Sequence, residues 1–122
     1  MDKYTKEELI QTLRVVFSVI VRCEKAQLKF MEGTSQHSLL KNRIKAMYIS
    51  KSLITDENII DKYTKEELIE ALRPVSSSIG KCCEKAQSKF AEGTTNYKRF
   101  RNIIKAMYIS KSLITDEINR RS

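Results

Sequence analysis

The chain has 122 residues, 41% of them hydrophobic and 31% charged, which fits one globular domain and excludes a disordered chain. With 3 Gly and 1 Pro there is too little punctuation for a many-stranded β protein, so helix is the starting expectation. The net charge of +8 is compatible with a polyanion partner and equally with plain solubility.

No apolar run approaches the ~18 residues that mark a membrane span. The longest, VVFSVIV at 15–21, is interrupted by Ser18. The opening MDKYTKEEL lacks the layout of a signal peptide. Three cysteines, two of them adjacent at Cys82 and Cys83, do not suggest a disulfide framework, so a cytoplasmic location is expected.

The first predicted helix opens at Thr5 with Glu8, an S/T-x-x-E capping box, and runs to Met31. Its seam, Leu9, Leu13, Val16, Ile20, Cys23, Gln27 and Phe30, alternates steps of four and three, the period of a packed helix face. EGTS at 32–35 supplies a Gly for a left-handed turn and a hydroxyl for the next N-cap. A second helix is predicted over 36–57, with Ile44, Met47 and Ile54 facing the core. The third, 64–91, and the fourth, 95–118, repeat this plan.

The repetition is close. IKAMYISKSLITDE stands at 44–57 and again at 104–117, and 39 of the 56 aligned residues from 2 to 57 recur, so one hairpin unit has been copied within the chain. Repeat A covers 2–57, repeat B 61–117, and the linker 58–63 is too short to run the length of a helix, which places both hairpin turns at one end. The expected fold is therefore all-α: one domain over 1–122, an up-down-up-down four-helix bundle of two tandem hairpins related by a pseudo-two-fold axis, in effect a single-chain homodimer. Natural duplication and an engineered fusion both produce this pattern.

Where the copies part is where function is sought. The seam residues are identical in both copies, but a second stripe is not. Phe17, Val21, Glu24, Leu28 and Met31 correspond to Ser76, Gly80, Glu84, Ser88 and Ala91, so large apolar groups stand against small ones and only the glutamate is kept. Three arrangements follow: bulk filling space across the axis, a ligand cavity or partner groove beside the small residues, or a stripe facing water. Truncating a packed apolar group costs ~2–5 kcal/mol, which favours filled packing, then a cavity. Glu24 and Glu84 are candidates for a carboxylate pair near the axis. Repeat B also carries Pro74 ten residues into a helix, predicting a kink or break, and an added residue near Cys82, predicting a stutter or π-bulge.

The second divergent block is HSLLKNR at 37–43 against YKRFRNI at 97–103. Lys98, Arg99 and Arg101, with Lys105, form a basic surface suited to nucleic-acid phosphates, while Phe100 falls on the core side with Ile104 and Met107. No metal-ligand cluster, nucleophile–base pair or phosphate loop is present, so no catalytic residue, metal or cofactor is assigned. The leading expectation is a non-enzymatic interaction or scaffold protein, acting through a protein partner or self-association by way of the unequal stripe. A nucleic-acid-binding regulatory protein is the alternative, and a small-molecule-binding or simply catalytic engineered bundle is a third.

Overall fold

A computed structural model describes residues 3–55, 62–89 and 93–121, and of 82–89 the backbone. The described residues form four helices and include no strand. They are α1 (Lys6–Gln27), α2 (Ser35–Thr55), α3 (Lys65–Lys89) and α4 (Thr95–Arg121).

Both hairpins start on the expected capping boxes. The Glu8 amide donates to Thr5 Oγ1 at 3.1 Å and the Thr5 amide to Glu8 Oε1 at 3.0 Å. In α3 the Glu67 amide donates to Thr64 Oγ1 at 3.1 Å and the Thr64 amide to Glu67 Oε1 at 2.9 Å. Each box satisfies two backbone donors that a helix start leaves without partners, and Glu7 and Glu66 add negative charge beside the positive end of the dipole. The second helix of each hairpin is capped by a threonine: Thr34 Oγ1 accepts from the His37 amide at 3.3 Å and Thr94 Oγ1 from the Tyr97 amide at 3.2 Å. Before each cap, Gly33 and Gly93 turn the chain at φ of 92° and 93°.

Helix α1 ends four residues earlier than its periodicity suggests. From Gln27 the bonding tightens, with the Lys29 amide donating to the Ala26 carbonyl at 3.1 Å and the Phe30 amide to that of Gln27 at 3.2 Å. Phe30, expected in the seam, is consequently 41% exposed. Helix α4 runs three residues beyond its expected end, because Glu117 pairs with both Arg120 and Arg121 across the last turn. Helix α3 is unbroken through Pro74 and stays α-helical over 82–89, so the predicted break and π-bulge do not occur. Leu68, Ala71, Val75 and Ile79, all buried on either side of Pro74, hold that turn against the core. The connection at 56–61, most of the expected linker, and residues 90–92 lie outside the described residues.

Around one core, α1 packs on α2 and α4, α3 packs on α2 and α4, and α2 also meets α4. The core takes Val16 and Ile20 from α1, Ala46, Met47 and Ile49 from α2, Leu68, Val75 and Ile79 from α3, and Ala106, Met107 and Ile114 from α4. Ion pairs tie one hairpin to the other at its flanks. Lys45 on α2 pairs with Glu67 on α3, and Lys105 on α4 lies 3.3 Å from Glu8 on α1. Arg121 donates to the Tyr63 carbonyl, fastening the end of α4 to the start of α3.

Candidate binding surfaces

The unequal stripe of α1 and the turn after it faces outward. Phe17 and Val21 are 46% and 49% exposed, and Leu28 and Met31 are 88% and 79% exposed. Their described counterparts Ser76 and Gly80 are exposed as well, and a Cβ on Gly80 would meet nothing within 4 Å. Filled packing across an axis, the favoured expectation, is therefore not what these residues do. A phase of helix α1 that repeats at four and three has more than one face, and the seam through Val16, Ile20 and Cys23 took the core. Lys51 of α2 places its Nζ 5.4 Å from the centre of the Phe17 ring, a cation–π contact over part of the stripe. Glu24 is exposed, while the side chains of Glu84 and Ser88, and Ala91 entirely, lie outside the described residues.

The basic candidates separate by position. Lys98 and Arg99 line a groove of about 400 Å³ between α1 and α4. Lys105 is engaged with Glu8, and Arg101 is exposed outside the groove lining. From α1 the groove takes Arg14 and Arg22, which the sequence reading passed over. The signal was available within the helix, since Gln11, Arg14, Ser18 and Arg22 step by three, four and four along one face. Their meeting with Lys98 and Arg99 depends on which helix lies beside α1.

A second groove of about 530 Å³ lies between α2 and α3. Arg73, Ser77 and Lys81 line it at the repeat positions of Arg14, Ser18 and Arg22, yet Glu66, Glu67 and Glu70 line it too. The two grooves thus share a location in the repeat and differ in charge.

Elsewhere the chemistry is quiet. No group of three or more His, Cys, Asp or Glu converges among the described residues. Cys23 is a buried free thiol whose ionisation is pushed up by burial, against the pull of the nearby Arg43 guanidinium. A thiol so held is a poor nucleophile. His37 is half-buried at the start of α2. No helix among the described residues is long and apolar enough to cross a membrane.

The described residues thus form four helices, with exposed apolar groups on α1 and the turn after it and a cation-lined groove between α1 and α4. No protein-family model, curated protein or solved structure matches the chain.

Proposed function

We propose that the protein is a non-enzymatic interaction module that self-associates through the outer face of α1. The observation that carries this reading is the exposed pair Phe17 and Val21 on α1, a helix whose other apolar face is already buried, continued by exposed Leu28 at its C-cap and Met31 in the turn that follows. Large contiguous apolar groups facing water mark association surfaces. The occupant is a second copy of the chain. Its own α3 carries, at the equivalent positions Ser76 and Gly80, an exposed face with open space above the glycine, into which bulky side chains fit.

The finer architecture belongs to the same proposal: an up-down-up-down bundle in which two copies of a hairpin, once a homodimer, are joined in one chain. Support comes from equivalent positions doing equivalent work. Lys45–Glu67 and Lys105–Glu8 are the same pair in the two repeats, Met47 and Met107 are both buried, and the two grooves use matching positions.

Sedimentation over a wide concentration range tests the association. The wild-type chain is expected to form dimers or larger species that strengthen with added salt, because salt screens the repulsion of a chain of net charge +8. The double variant Phe17→Ser, Leu28→Ser, which installs the residues of repeat B at exposed positions, is expected to weaken association at least ~10-fold. A wild-type chain that stays monomeric throughout removes the reading.

A further inference from the structure

We propose that the groove between α1 and α4 is a binding site for the phosphate backbone of single-stranded nucleic acid. Arg14 and Arg22 stand on its α1 wall and Lys98 and Arg99 on its α4 wall, all four exposed. Among the described residues no carboxylate lines the groove, and none of the four cations has an ion-pair partner. A run of free cations in a concave surface concentrates positive potential there.

The matching groove between α2 and α3 shows what neutralisation looks like in the same setting. Arg43, Lys45, Arg73 and Lys81 line it, but Glu66, Glu67 and Glu70 stand among them, and Lys45 is already paired with Glu67. Position in the fold therefore does not explain the charge of the α1/α4 groove; its particular residues do.

The chemistry of the lining fits a nucleic-acid strand. Three of the groove's four cations, Arg14, Arg22 and Arg99, are arginines, whose planar forks suit phosphate oxygens. Gln11, Ser18, Thr95 and Asn102 add neutral donors of the kind that contact phosphate and sugar, while Val15, Val19 and Ile103 offer an apolar floor. Arg14 and Arg22 are eight residues apart on one helix, ~12 Å at 1.5 Å per residue, so the cations address successive groups along a strand and not one isolated anion. A recess of about 400 Å³ between two helices receives part of a single strand. The apolar floor of Val15, Val19 and Ile103 suits a single strand, whose base faces are open to contact, better than a duplex, which keeps them stacked inside.

The test compares two double variants with the same loss of charge: Arg14→Gln with Arg22→Gln in the α1/α4 groove, and Arg73→Gln with Lys81→Gln at the repeat-equivalent positions. All four side chains are exposed, so both proteins are expected to fold, which circular dichroism checks. Binding of a fluorescent single-stranded oligonucleotide is followed by anisotropy at several salt concentrations. The wild-type chain is expected to bind with affinity falling as salt rises, each phosphate contact contributing about −0.7 to the logarithmic slope. Loss of Arg14 and Arg22 should weaken binding at least ~10-fold and flatten the slope by about 1.4, whereas loss of Arg73 and Lys81 should change affinity less than ~2-fold. Equal losses in the two variants would reduce the effect to diffuse surface charge and overturn the proposal. So would absence of binding at low salt, or equal affinity for a duplex, for polyglutamate or for phosphatidylserine vesicles.

Discussion

At the scale of single residues, the three glycines show how one residue type serves two purposes. Gly33 and Gly93 sit at φ of 92° and 93°, a region that a Cβ makes costly, so the turns depend on them. Gly80 lies inside α3 without such a requirement, and a Cβ there would meet nothing within 4 Å. Gly80→Ala is therefore expected to stabilise the protein by about 0.5–1 kcal/mol through the entropy of the unfolded chain, and Gly33→Ala to destabilise it by about 1 kcal/mol or more. Denaturant unfolding of the two variants reads the opposite signs. Environment also splits residues that the repeat makes identical. Ser50 Oγ donates to the Ala46 carbonyl at 3.0 Å, while the equally buried Ser110 Oγ has no hydrogen-bond partner among the described residues. Residue identity made the turn glycines legible in advance, but the freedom at Gly80 and the unsatisfied hydroxyl at Ser110 depend on neighbours that periodicity does not name.

At the scale of helices, local signals and packing compete, and α3 records the outcome. Pro74 removes an amide donor and sets its ring against the Glu70 carbonyl, a defect of ~3 kcal/mol in a helix interior. The helix nevertheless continues from Lys65 to Lys89, because buried Leu68, Ala71, Val75 and Ile79 hold both sides of the defect to the core. Pro74→Ala restores the missing bond, and the expected gain is about 1–3 kcal/mol in unfolding free energy. A thermal midpoint unchanged or lowered by the substitution would mean that the proline ring is needed by its surroundings. The helix starts were legible, since a capping box is written within four residues. The end of α1 was not, because the apolar spacing runs on past Gln27 to residues that the turn leaves exposed.

Across the whole molecule, carboxylates at the flanks couple the hairpins to pH. The Thr5 amide and then Lys105 hold Glu8 below its ordinary value of 4.5, Lys45 and then the Thr64 amide do the same for Glu67, and Arg120 leads for Glu117. A carboxyl whose ionisation is favoured in the folded state contributes stability above its unfolded value and loses it as pH falls through the folded one. Stability is thus expected to be flat from neutral pH down to about 5 and to fall below about 4.5. Urea midpoints measured against pH check this. The double variant Glu8→Gln, Glu67→Gln, which keeps neutral capping partners but not the charge, should fall less steeply.

Taken by itself, the amino-acid sequence determined the helical class, the four elements, the capped starts, the turn glycines and the middle of the seam, Val16 and Ile20 with Leu68, Val75 and Ile79, that became the core. Each of these is written in residues a few positions apart, within reach of one helical turn or one cap. Only the tertiary structure decided that the stripe through Phe17, Val21, Leu28 and Met31 faces water, and that Arg14 and Arg22 stand across a groove from Lys98 and Arg99. The physical reason is that a helix with two apolar faces can bury either, and the choice belongs to the helices packed against it. A shared groove, likewise, exists only once α1 and α4, far apart in the chain, lie side by side.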